Sequence, residues 1–144
     1  MPDIESFPPQ GMLHKGWTAQ VNDYVIACGW ALNGKIFLSA DTSGGLFAFD
    51  GIEGNILWQN QNIHSGGLLA MSINSTGDII ATAGQDGQVR LWDSKSGIEM
   101  RTIVLGKGWV EDLKWSPDGN KLAIVFSRNV YIFSSDGKLN WCSE

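Results

Sequence analysis

From Tyr24 onward the chain is a succession of short apolar runs separated by glycine-bearing turns. Tyr24–Trp30 is followed by the turn Leu32-Asn33-Gly34-Lys35, then by Ile36–Ala40, the Ser43-Gly44-Gly45 turn and Leu46–Phe49. The Gly51–Asn55 loop then leads to Ile56–Trp58. Runs of this length bounded by turn residues predict strands. Two further sets follow: Leu68–Ile73, Ile79–Ala83, Gln88–Trp92 and Met100–Leu105, then Val110–Trp115, Lys121–Phe126, Asn129–Phe133 and Leu139–Trp141. No stretch sustains a helical period with caps at its ends. Alternation is incomplete, and Lys121-Leu122-Ala123-Ile124-Val125-Phe126 is nearly continuous in apolar character, as expected of strands covered on both faces. Pro117 falls in the turn Ser116-Pro117-Asp118-Gly119, where its missing N–H costs no ladder bond.

The three sets are worn copies of one another. The stretch from His64 to Asp93 overlays Val25–Asp50 without a gap, and Val110–Phe133 with one residue missing near Arg128. The turn glycines Gly34, Gly77 and Gly119 stand 43 and 42 residues apart. A period of that length built from short strands predicts β-propeller blades. The expected fold is therefore all-β: three four-stranded antiparallel blades, over about 21–60, 61–105 and 106–144. Residues 1–20, with Pro8-Pro9-Gln10-Gly11, read as an irregular lead-in. Met12–Gln20 is a candidate extra strand, because Trp17 precedes Val25 much as Trp58 precedes Leu68.

Composition narrows the partners. With 43% hydrophobic and 17% charged residues the chain is an ordinary packed domain, and 18 glycines suit one that turns often. A net charge of −5 and the lack of any Lys/Arg run argue against nucleic acid. No apolar run reaches membrane-spanning length, and Met1-Pro2-Asp3-Ile4-Glu5 is no signal-peptide core, so a cytoplasmic location is expected. Two cysteines make no disulfide framework; Cys28 reads as a buried thiol and Cys142 as an exposed or edge one.

The middle copy resembles the WD-repeat propeller family over several spaced elements at once. These are His64 before the first strand, the Asn74-Ser75-Thr76-Gly77 turn, the small-residue strand Ala81-Thr82-Ala83-Gly84, the Asp86-Gly87 turn and Trp92-Asp93 closing the third strand. The third copy adds Ser116-Pro117-Asp118-Gly119, and the resemblance extends over about 21–141. It implies a buried hydrogen-bond chain from Trp92 to Thr82 to His64 to Asp86, which makes His64 structural. In the first copy the four places hold Val21, Ser39, Ser43 and Phe49, and in the third Gly106, Ile124, Arg128 and Phe133. Neither set can form the network, so those blades are expected to rely on apolar packing and to have looser turns.

Catalytic chemistry finds little to stand on. The histidines are His14, in the lead-in, and His64; no His/Cys cluster has zinc spacing, and Gly106-Lys107-Gly108 lacks the rest of a phosphate fingerprint. Glu111 and Asp112 are adjacent on a strand and point to opposite faces. No catalytic residue, metal or cofactor is expected. The resemblance implies instead an interaction scaffold that binds partner proteins through one loop face. That face collects Tyr24, Gln85, Lys107, Trp109 and Arg128, of which the aromatic and arginine side chains are interface-anchoring types. The competing reading is a ligand-binding or enzymatic propeller with a central-channel site. Three blades also raise a closure problem, since closed propellers use about 4–8. A homodimer, another chain that brings the missing blades, and a fragment of a longer WD-repeat protein are the alternatives.

Overall fold

Gly34, Gly77 and Gly119 hold φ of +80°, +78° and +75°, a region side chains rarely adopt. Each reverses the chain between the first and second strand of a sheet. The computed structural model describes residues 16–136 and 138–143, and among them the chain forms twelve strands and no helix. Blade 1 consists of β1 (Val25–Ala31), β2 (Ile36–Asp41), β3 (Leu46–Asp50) and β4 (Ile56–Asn60). Blade 2 consists of β5 (Leu68–Ile73), β6 (Ile79–Gly84), β7 (Gln88–Asp93) and β8 (Glu99–Val104). Blade 3 consists of β9 (Val110–Trp115), β10 (Lys121–Phe126), β11 (Asn129–Ser134) and β12 (Leu139–Cys142). Each is a four-stranded antiparallel meander in sequence order.

The register repeats from blade to blade. Val25 pairs with Asp41, Leu68 with Gly84 and Val110 with Phe126, each beside a bulge in the first-strand pairing. A second shift recurs between the third and fourth strands, at Ala48/Phe49, Leu91/Trp92 and Ile132/Phe133. Such repeated bulges strengthen the local twist. Corresponding residues of the three blades can therefore be compared one to one.

The blades stack side by side, β1 against β5 and β5 against β9. Between blades 1 and 2 lie Leu38, Ala40, Leu46 and Ala48 from the first and Leu68, Ile80 and Trp92 from the second. Between blades 2 and 3 lie Ala81, Ala83, Val89 and Leu91 against Leu113, Leu122, Ile124 and Phe133. Blade 2 thus buries both faces, and this accounts for the weak alternation of its strands. The sheets do not close on one another.

The two ends of the row differ. The face of blade 1 that points away from blade 2 carries Phe37, Phe47 and Phe49, and Trp17 covers it with ring centroids 5.9 Å from Phe37 and 5.7 Å from Phe49. Residues 16–20 do this without forming a strand; the rest of the candidate strand over Met12–Gln20, and His14, lie outside the described residues. Cys28 shares that end face and is exposed, contrary to the buried reading, because among the described residues no sheet lies across it. Trp30 is 56% exposed for the same reason. Cys142 is half-buried on β12.

Candidate interaction face

All loops that join the fourth strand of one blade to the first of the next, and all turns between second and third strands, meet at one edge of the row. The register requires it: the starts of β1, β5 and β9 pair with the ends of β2, β6 and β10. Main-chain hydrogen bonds knit the loops, with Leu68 N–H donating to the Thr42 carbonyl and Ile63 N–H to Gly44 across blades 1 and 2, and Leu105 N–H to Gly87 within blade 2. The platform is held by backbone and not only by side chains.

Beneath it, blade 2 carries a buried polar chain. The Trp92 indole Nε1–H donates to Thr82 Oγ1 at 2.9 Å, and Thr82 Oγ1 lies 2.8 Å from His64 Nε2. His64 Nδ1 lies 3.0 Å from Asp86 Oδ1. Only one assignment satisfies every group: Trp92 donates to Thr82, Thr82 to Nε2, and Nδ1–H to Asp86. The imidazole is then neutral. Burial, the largest influence on it, holds its pKa below the ordinary 6.5 although the Asp86 carboxylate pulls the other way. Asp86 also accepts the main-chain N–H groups of Ser65 and Gln88 at 3.1 Å each. One carboxylate thereby joins the loop before β5 to the turn between β6 and β7. A histidine occupied on both ring nitrogens has no free position for acid–base work.

The other blades fill the same space by different means. A Cβ on Gly84 would stand 2.4–2.7 Å from the Cβ, Cγ and Nδ1 of His64, so the ring uses the room that glycine leaves. Blade 1 has Val21 in the histidine's place and Asp41 in the glycine's. The Asp41 side chain is fully buried. Its Oδ1 accepts Ser43 N–H at 3.1 Å, Ser43 Oγ–H at 2.7 Å and Gly45 N–H at 2.9 Å. Its Oδ2 has no partner among the described residues. Blade 3 has Gly106 in the histidine's place and Phe126 in the glycine's, with the ring beside Gly106 and Gly108. Blade 3 is thus packed by apolar contacts, but the turn of blade 1 is tied by three hydrogen bonds to one carboxyl. Sequence reasoning missed Asp41 because it compared only the four family positions. The signal was the Asp/Gly/Phe exchange at the strand ends.

The five candidate contact residues all reach the loop edge, on different blades. Tyr24, on blade 1, is 83% exposed. Gln85, on blade 2, is half-buried; its N–H donates to the Gly67 carbonyl at 3.0 Å and its side chain lies along Gly66. Lys107 and Trp109, in the β8–β9 loop, and Arg128, in the β10–β11 turn, lie on the loop edge of blade 3. Trp109 is 54% exposed. Arg128 is exposed in a tight turn in which Ser127 has φ +55°, at the point where the third copy is one residue short.

A cavity of about 500 Å³ opens between blades 1 and 2, lined by Thr42, Asn62, His64, Asp86 and Arg90 among others. Arg90 is committed within its blade, with Nη1 2.7 Å from Glu99 Oε1 and Nη2 2.9 Å from Gln88 Oε1. Glu111 and Asp112 are both exposed on β9. Among the described residues no group of three His, Cys, Asp or Glu side chains is placed to hold a metal ion, and no helix is long and apolar enough to cross a membrane.

Known proteins bear out the blade reading. The family model "WD domain, G-beta repeat" matches residues 58–93. SVP1-like protein 2 of Kluyveromyces lactis is 35% identical over 65 residues, which is 43% of this chain and 19% of that protein. The crystal structure of the RRP9 WD40 repeats superposes with a TM-score of 0.80 at 15% identity, covering 86% of this chain and 39% of that one. Chaetomium thermophilum Sqt1, solved bound to the N-terminus of a ribosomal protein, superposes at 0.72 and 18% identity over 82% of this chain and 35% of that one. The chain therefore spans two fifths or less of these proteins.

Proposed function

We propose that this chain, which belongs to the WD-repeat β-propeller family, is a non-enzymatic scaffold that holds a protein partner on its loop face. It completes its propeller with blades it does not itself contain. The observation that carries the reading is the division of labour along the loop edge. The histidine and aspartate of that edge are used up in holding blade 2 together, while Trp109, Lys107, Arg128 and Tyr24 stand free on a backbone-knitted platform. An aromatic and two cations on the loop edge of one blade suit a protein surface more than a small substrate. Sqt1, which has this fold, binds a segment of another protein. The compartment proposed is the cytoplasm, in keeping with two thiols that are both free.

Proximity labelling in the source cells tests the reading with the wild-type chain, a Tyr24→Ala chain and a Trp109→Ala/Arg128→Glu chain. Proteins labelled by the wild type should be lost with the loop-face variants while the melting temperature stays unchanged. A labelled set indifferent to both variants sinks the proposal.

A further inference from the structure

The blade 3 face that points away from blade 2 carries Ala123, Val125, Val130 and Ile132. Their register equivalents in blade 2 are Ala81, Ala83, Val89 and Leu91, and in blade 1 Leu38, Ala40, Leu46 and Ala48. Those eight residues are at most 3% exposed, because the next blade covers them, whereas Val130 is 36% exposed and the other three of its set are only half-buried. Residues that are core twice over are uncovered the third time.

The outer strand of blade 3 shows the same break. Trp58 pairs with Ala48 and Trp141 with Ile132, the same register position. The Trp58 indole crosses to blade 2, where Nε1–H donates to the Ser94 carbonyl at 3.0 Å and the ring lies on Gly97, whose added Cβ would stand 2.5 Å from Cδ2. No sheet among the described residues lies beside Trp141, which is 55% exposed. At the other end, Trp17 already fills the matching slot of blade 1. It donates to the Gly51 carbonyl at 3.3 Å, and an added Cβ on Gly54 would stand 2.5 Å from its ring.

Resting on the scaffold reading above, we infer that the outer face of blade 3 docks a further four-stranded blade that differs in sequence from blade 1, anchored by Trp141. The partner's third-to-fourth-strand turn supplies a glycine and an unoccupied carbonyl for that indole. Its second and third strands are apolar on the docking face. Its first strand is polar or small at its end, because there it meets Asp112 and Lys114. Those two charged residues stand opposite Val125 and Ala123, where blades 1 and 2 have Ala27 and Gly29, and Ala70 and Ser72. A second copy of this chain does not meet these terms. Its slot holds Trp17, and Trp30, which matches Trp115 in register, would have to stand on Lys114 where Trp115 stands on Ser72.

Sedimentation of the full chain tests this. The wild type should run at one-chain mass. Trp17→Ala/Trp30→Ala removes both obstacles and should create head-to-tail assemblies of two chains or more, which adding Trp141→Ala or Ile132→Lys should return to one-chain mass. Wild-type self-association through Trp141 and Ile132 overturns the inference, since a second copy is then the occupant. A folded Trp17→Ala/Trp30→Ala chain that stays single also overturns it, as does an assembly indifferent to both blade 3 substitutions. If the double variant loses its sheet signal, residues 61–104 are appended after residue 143 of the wild type instead. Hydrogen exchange at β12 should then slow at least tenfold and the melting temperature should rise, with both effects lost on Ile132→Lys. Unchanged exchange at β12 overturns the inference. The loop-face reading depends on Trp109 and Arg128, which neither experiment touches.

Discussion

The imidazole of His64 lies against Gly84 so closely that a Cβ on the glycine would stand 2.5 Å from the imidazole Cγ. The ring cannot retreat, because hydrogen bonds hold both of its nitrogens. Gly84→Ala is therefore expected to cost about 1–3 kcal/mol, the usual range for overpacking a filled site. Thermal denaturation reads the loss, and a wild-type melting temperature would show that the ring has room.

Thr82 is the relay of the buried chain, and it is fully buried. Thr82→Val keeps the shape but leaves the Trp92 N–H and His64 Nε2 both unpaired, at a cost of roughly 1–3 kcal/mol for each orphaned group. Trp92→Phe introduces the residue type found at Phe49 and Phe133 and removes only one donor, so it should cost less. Urea titrations of the two variants give the order directly, and a Trp92→Phe chain less stable than Thr82→Val would contradict the relay.

Acid should weaken the fold through His64. Burial lowers its folded-state pKa below 6.5, so the unfolded chain binds the proton more readily. The histidine's full contribution is present above about pH 6.5, shrinks as pH falls through the folded value, and levels off below it. A proton on Nε2 would also leave the Thr82 hydroxyl hydrogen without its acceptor. The urea midpoint of the wild type should therefore fall as pH drops below about 6.5, and that of a His64→Asn chain should fall less. Parallel pH profiles would remove His64 from the account.

In blade 1 the Asp41 carboxyl adds three side-chain hydrogen bonds to the backbone bonds of the turn. Asp41→Ala strips the acceptor from Ser43 and from the buried Gly45 N–H and is expected to cost about 1–3 kcal/mol. Asp41→Asn keeps one acceptor oxygen and should stay within about 1 kcal/mol of wild type. Equal losses from the two substitutions would mean that the second, unpartnered oxygen matters as well.

The strands and the four-residue network were legible because they rest on local signals: turn glycines at a fixed period, and polar residues at the spacing of one blade. Even the lead-in gave a true hint, since Trp17 does occupy the place that Trp58 occupies one blade later. Cys28 was misread because its burial depends on a sheet across its face, which the described residues do not supply. The polar lock at Asp41 was hidden because it lies one position away from the motif it replaces.

The sequence by itself determined that this protein is three propeller blades, which residues tie the middle one together, and which side chains reach the loop edge. Periodicity and turn chemistry are properties of neighbours along the chain and survive in one dimension. Which end of the row is capped and which is open was decided only by the tertiary structure. Ala83 and Val125, or Trp58 and Trp141, are equivalent in pattern and differ only in whether another sheet lies across them. Burial is set by what packs against a face, and no spacing along the chain records that.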